Sequence, residues 1–527
     1  MYLILTASKD AYITDKIIDN KYRTKDANTG YAATLDVFKL WNESSDIEDG
    51  SAVQINGETG PIELSRALIK FDYDTIQDFI DDAKLDIDAV NNPTFECKLQ
   101  MVDISVGQGA PMNFNLILFP LAQAFDEGFG KDVGSFGDVT VTNWVTASYA
   151  GGTTYSWFSE GARAMGALGD SNIDIIEFGE LNDGAGPTAA TYSTQLFSVG
   201  TENLEMDITR IVSASLSGQL DNHGFLLAYS GSEETDGKTR FVKRFGSRHV
   251  GDPYIRPQIV VSWDDSIIDN HKNFFFDLTG SLFLQNYHYG APADLVWGPS
   301  LTGVTGPSCM ELSIVSDQFK KTIDVSQYKI GDNWVTGLYT GSFAISSMAT
   351  DDVNDEDTIA DFVLASGSIT FEEHWGTTAG GTFGFHTGSL EIKSISRSVF
   401  NATQRRIDLV STNIKKAYRV VDRPKFRVFA HDLDEERTSV KIPVKLDSKV
   451  LDSVYYRVKD AITGKIVVPF KTDNNGTRLS ADSDGMFFEL YMNNLPPGRT
   501  YTIDYLVTDL GTEFIVEDNG IQFRVDR

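Results

Sequence analysis

Cysteine is almost missing from this chain, with two residues, Cys97 and Cys309, among 527. They stand far apart and neither has a Cys-x-x-Cys neighbour, so their spacing builds neither a disulfide framework nor a zinc site. Positive charge is also short: 45 Lys and Arg face 75 Asp and Glu, for a formal charge of -30. Nucleic acid and anionic membrane surfaces repel such a chain, which argues against both as partners. No run approaches 18 consecutive apolar residues, so no transmembrane helix and no membrane insertion are expected. The opening residues Met1 to Asp10 are too short and too uncharged a run to read as a signal peptide. The expectation is synthesis in a cytoplasm.

What is present belongs to a folded protein. The chain is 41% hydrophobic and 11% aromatic, too apolar for general disorder, and its length suits three or four domains. Apolar residues recur with period two almost everywhere, as in Thr34–Leu40, Lys98–Ile104, Gln258–Trp263, Val454–Val458 and Tyr501–Val507. That period, with β-branched and aromatic residues filling it, predicts strands. Asp26–Gly30, Asn474–Gly476 and Ser483–Gly485 supply the turn residues between them. Helical spacing is limited to Asp74–Ala83 and Asp207–Leu216. The predicted fold class is mainly β: tandem antiparallel β-sandwich domains, jelly-roll and immunoglobulin-like. Three segments are expected, at 1–264, 265–400 and 401–527. The polar stretch from Asp264 to Asn273 reads as a linker, and the acidic run Asp351–Asp357 as a solvated loop. No internal repeat of fixed period is visible.

Two resemblances refine this. In order along the first segment stand Ser8–Ile13, Asn28-Thr29-Gly30, Ser65–Asp72, Asn222–Leu227 and Arg256–Val261. The series resembles the DNRLRE-domain family, β-sandwich modules of extracellular and virion proteins. It departs from that pattern in long insertions at Asn42–Pro61 and Gly151–Thr191. In the third segment, Leu495-Pro496-Pro497-Gly498-Arg499-Thr500-Tyr501 is similar to the tyrosine corner of fibronectin type III and immunoglobulin-like sandwiches. With no visible export signal, the first resemblance implies a structural protein of a tailed bacteriophage virion, in its tail, neck or baseplate. The implied partners are other virion proteins and further copies of this chain, and the implied location is the virion.

Catalytic motifs do not appear. Gly-x-x-x-x-Gly-Lys-Ser/Thr, His-Glu-x-x-His and Gly-x-Ser-x-Gly are all missing, so no enzyme activity, cofactor or metal is expected. Glu372-Glu373-His374-Trp375 is the tightest acid–histidine cluster, with His374 read as a loop or sheet-face residue. Carboxylate groups such as Asp434-Glu435-Glu436 read as solvated faces rather than a glycosidase pair. The run Asp352–Thr358 lacks the Gly and Glu positions of an EF-hand loop, and Asp482-Ser483-Asp484-Gly485 reads as a hairpin turn.

Two groups carry the binding expectations. Arg405, Arg406, Lys415, Lys416, Arg419, Arg423, Lys425 and Arg427 face only Asp408 and Asp422, a basic strip suited to docking on an acidic protein surface. Trp144, Tyr149, Tyr155 and Trp157 lie in a Gly/Thr/Ser-rich region and form the alternative, a host-surface glycan site on an adhesion module.

Overall fold

A computed structural model describes residues 1–18, 22–41, 53–55, 58–60, 62–88, 91–105, 111–135, 137–181, 185–316, 319–350, 358–366, 368–377, 384–393, 406–433, 448–509, 511–517 and 521–527. The acidic run 351–357, the cluster Asp434-Glu435-Glu436, most of the insertion 42–61 and Arg405 lie outside the described residues. The chain forms two compact units. One comprises residues 3–77 and 87–262, and the other residues 1–2, 78–86 and 263–527. The second unit thus contains both segments expected at 265–400 and 401–527.

In the first unit, strands remote in sequence lie side by side. One sheet has the order Ser193–Phe197, Phe114–Pro120, Phe225–Tyr229, Ile62–Lys70, Thr34–Trp41, Arg240–Gly246, with Lys9–Thr14 also paired to Ile62–Lys70. A smaller sheet runs Tyr2–Thr6, Gln258–Ser262, Glu96–Met101, Leu204–Asp207. The central strand Ile62–Lys70 is buried at every position but its last, so both faces of the larger sheet are covered. Leu68, Ile117, Phe119 and Leu226 pack on one face against Phe125, Trp144, Trp157 and Ile175 from the long connection after Pro120. Asp174 ties that connection together. Its buried carboxylate accepts from the N–H groups of Phe158 (2.8 Å), Ser159 (3.0 Å) and Ala164 (2.9 Å) and from Gln123 Nε2 (2.7 Å).

Polar residues on these strands are buried only with partners, as the cost of stranding a charge requires. Lys243, 0% exposed, donates to Asp103 Oδ1 (2.7 Å) and to the carbonyls of Gly200 (2.8 Å) and Glu202 (2.7 Å). The motif residues do comparable work. Asn28 Nδ2 bonds the carbonyls of Glu127 and Thr142, both at 2.8 Å, and its Oδ1 accepts from Gly130 N at 2.7 Å. Gly30 abuts the Glu127 carbonyl so closely that a Cβ would lie 1.7 Å from its oxygen. Asn222 Nδ2 donates to Phe71 O at 2.7 Å. The series read from the sequence is therefore a set of structural ties.

The second unit begins with a sheet ordered Phe274–Phe275, Gly384–Lys393, Ser368–Gly376, Met310–Val315, Lys320–Ile330, Asn333–Ala344, Thr279–Gln285. Its two edge strands are consecutive in the chain, with only residues 276–278 between them. The sheet must therefore curl until its edges meet, and Phe274 stacks on Phe343 across the closure with ring centroids 4.7 Å apart. Leu312, Ile314, Val325, Tyr339, Leu390 and Ile392 fill the interior, joined by Ile359 and Val363 of the helix Ile359–Ser366. That helix has no counterpart in the sequence reading, whereas Asp74–Asp81 and Thr209–Leu216 form where helical spacing was found.

The described residues between 406 and 527 form a two-sheet sandwich. One sheet is ordered Ile407–Ser411, Lys425–Asp432, Gly485–Glu489, Ser480–Asp482. The other is ordered Ala417–Arg419, Phe523–Asp526, Arg499–Asp509, Val454–Asp460, Ile466–Val468, with Thr512–Glu517 also on Arg499–Asp509. The first stretch of chain pairs in one sheet and then, as Ala417–Arg419, runs parallel to the last strand in the other. Sheet switching of this kind and the strand order are immunoglobulin-like. Aromatic contacts close the core: Tyr418 meets Phe426 at 5.6 Å, and Tyr456 stacks on Phe488 at 4.2 Å. Tyr501 is fully buried and its hydroxyl donates to Pro496 O at 2.6 Å, the tyrosine corner expected from the sequence.

The stretch 264–273 is not a free linker. Ile267 O accepts from Ala481 N (2.7 Å), Asp269 N donates to Ala481 O (3.1 Å), and Ile268 forms a parallel bridge with Ala481. Asn270 then bonds Ser281 through backbone and side chain, both at 2.9 Å. Its backbone pairs with Ala481 and Ser281, a partnership that polarity alone does not reveal.

Candidate functional site

A polar cleft of about 730 Å³ lies within the second unit, lined by the closed sheet, the stretch 264–273 and the sandwich. At its depth, His271 Nδ1 lies 2.5 Å from Asp269 Oδ1 and Nε2 lies 2.9 Å from Glu373 Oε2. Period-two alternation positions these groups. Phe371, Glu373 and Trp375 are buried, while His374 is exposed and pairs loosely with Glu372 at 3.6 Å, the sheet-face role expected of it. Gly388 stands opposite Glu373, where a Cβ would come within 2.1 Å of Oε1. Any side chain there would displace the carboxylate.

Burial alone would push the His271 pKa down, but hydrogen bonds and charge from Asp269 and Glu373 outweigh it and raise it to about 10. Glu373 is held below the usual carboxylate range, burial opposing ionisation and His271 overcoming it. The imidazole is thus a fixed cation near neutral pH and cannot accept a proton as a general base would. It clamps strand Ser368–Gly376 to the stretch that pairs with the sandwich.

On the sandwich side, Lys425 (3.1 Å) and Arg427 (2.5 Å) both engage Asp482, and Arg427 Nη2 reaches Asp484 at 3.5 Å. Burial opposes ionisation of Asp482, yet its two cationic partners keep its carboxyl low. Asp482 pairs with Gly485 across a two-residue turn, the hairpin expected there. A second, aromatic lobe of about 310 Å³ shares Gln285, Tyr287 and Lys425 with the cleft.

The basic strip is divided by these contacts. Lys425 and Arg427 are consumed within the cleft, and Arg423 lies over the Tyr491 ring at 4.7 Å. Arg406, Lys415, Lys416 and Arg419 are exposed, the last three around the switch between sheets. A single docking strip is therefore not what the fold presents. The glycan group is corrected more sharply. Trp144 is 1% and Trp157 5% exposed, both within the core, and Trp157 Nε1 is spent on Asn143 O at 2.9 Å. Only Tyr149 and Tyr155, on the hairpin Thr146–Ala150/Thr153–Ser156, remain exposed.

In the first unit, ligand atoms of Asp10, Glu127 and His249 lie within 4.8 Å of one another, a spacing a metal ion can bridge. However, Arg248 Nε lies 3.0 Å from Glu127 Oε1, so a guanidinium already supplies positive charge there. Burial raises the Asp10 pKa to about 7, against a hydrogen bond from Arg248 N and with Glu127 adding repulsion.

Sequence reasoning missed His271 and Glu373. The signal was available in strand alternation: if Trp375 faces inward, Glu373 does too, and a buried carboxylate demands a cation.

No protein-family model matches the chain, and no curated protein matches it. Among solved structures, the crystal structure of the N-terminal four Ig domains of Dscam1 isoform 6.9 is similar at 10% identity and TM-score 0.12, and covers 58% of this chain. The chain spans 58% of that structure's length. The chicken CNTN1 FN1-FN3 domains are similar at 10% identity and TM-score 0.14, over 81% of this chain and 96% of theirs. At such scores neither likeness carries an argument. The immunoglobulin-like assignment rests on strand order, sheet switching and the Tyr501–Pro496 bond.

Proposed function

We propose that this chain is a non-enzymatic structural protein of a tailed-bacteriophage virion, a tail, neck or baseplate component that assembles through protein–protein contacts. The supporting observation is the exposure of Lys415, Lys416 and Arg419 where the sandwich changes sheets, in a chain whose formal charge is -30. Acidic surface on a second copy, or on a neighbouring virion protein, complements those cations. The non-catalytic part of the reading is supported by His271, whose two ring nitrogens each face a carboxylate, Asp269 on one side and Glu373 on the other. Adhesion to host glycan through the 144–157 region is the weaker reading, since both of its tryptophans are core residues.

Charge reversal tests the proposal. Lys416→Glu combined with Arg419→Glu changes only exposed side chains, so the fold is retained. Light scattering is expected to show the wild-type oligomer and a monomeric variant. An oligomer unaffected by the reversal overturns the docking role.

A further inference from the structure

We infer that the cleft of the second unit is a binding site for a neutral carbohydrate, a role separate from assembly and independent of it. Its volume of about 730 Å³ falls in the range of ligand sites. Its charge selects the ligand class. The charged groups at depth already pair with one another, His271 with Glu373, and Lys425 and Arg427 with Asp482. An anionic ligand meets the exposed Asp484 and Glu391 carboxylates, which outnumber the exposed Lys272 on the lining, and the negative charge of the whole chain. A cationic ligand must compete with residents already seated on Asp482.

A polyhydroxylated neutral molecule meets neither obstacle. Its hydroxyls both donate and accept, and each carboxylate offers about four lone-pair sites, so Asp482 retains acceptor capacity beside its cations. The apolar face of a sugar ring also needs a flat partner. Tyr287 supplies it where the polar and aromatic lobes meet, and it is 57% exposed, so the ring is not spent on the core. The ring is preorganised: its hydroxyl donates to Gln285 Oε1 at 3.2 Å, and its backbone pairs with Pro292 in the hairpin Tyr287–His288/Ala291–Pro292. Holding the platform before binding lowers the ordering cost of association.

The test is calorimetric titration of the full chain with two panels, neutral oligosaccharides of glucose, galactose and N-acetylhexosamine, and sulfated or uronate oligosaccharides. Saturable binding of a neutral member is expected, weakened at least tenfold by Tyr287→Ala and unchanged by Tyr149→Ala. Because Tyr287 is exposed, an unchanged melting curve is expected for that variant, and Asp484→Asn serves as a second, milder probe of the rim. No binding by any neutral member, preference for the anionic panel, or binding indifferent to Tyr287→Ala overturns the inference.

Discussion

His271 Nε2 lies 2.9 Å from Glu373 Oε2, joining residues 102 positions apart in the chain. With Asp269 on the other ring nitrogen, the imidazole holds strand Ser368–Gly376 of the closed sheet and the stretch bound to Ala481 in one hydrogen-bonded assembly. A pH dependence follows. The folded pKa of about 10 lies above the 6.5 of an ordinary histidine. The stabilisation is therefore complete below about pH 6.5 and lost as pH climbs through about 10. His271→Gln leaves two buried carboxylates uncompensated and is expected to cost about 3–5 kcal/mol at pH 7. Denaturant melts from pH 6 to 11 check this: the gap between wild type and variant closes at the alkaline end.

Asp10 works in the same sense over a lower pH range. Its folded pKa of about 7 stands above the model-compound value of 3.8, so the folded state binds the extra proton between them. Stability falls as pH rises from about 4 to 7 and stays lower above that. Asp10→Asn removes the buried charge while keeping an acceptor for Arg248 N. It is expected to stabilise the first unit at pH 8 by up to about 4 kcal/mol, from about 1.4 kcal/mol per pKa unit, with little effect at pH 4. Thermal melts at the two pH values decide it.

Tyr501→Phe removes one hydroxyl and leaves Pro496 O, half-buried at the turn, without that donor. The expected loss is about 0.5–1.5 kcal/mol, confined to the unfolding transition of the second unit. Hydrogen exchange resolved by segment shows whether the loss stays in residues 406–527.

How much of this was legible in the sequence depends on the range of the interaction. Leu495–Tyr501 displays its corner because donor and acceptor are five residues apart. The strands at Thr34–Trp41 and Arg499–Asp509 were visible because alternation is local. The clamp was not, because His271 and Glu373 meet only after the sheet closes. Trp144 and Trp157 were misread because their Gly/Thr/Ser-rich flanks look like surface, whereas the flanking loops fold over a sheet face that needs covering.

That last point gives its own prediction. Gly161 packs against the Trp144 ring so closely that a Cβ would sit 2.5 Å from it. Trp144→Ala is expected to destabilise the first unit by about 3–5 kcal/mol, as large-to-small core changes do. Its effect on sugar binding should be nil in molecules that remain folded, which titration below the melting temperature checks.

The central claim, that the chain is an assembly component docking through charge, is tested most directly by its solution mass from light scattering at low and at high salt. The account predicts a discrete oligomer that dissociates as salt shortens the Debye length from about 30 Å at 0.01 M to about 3 Å at 1 M. A monomer at both salts would contradict it.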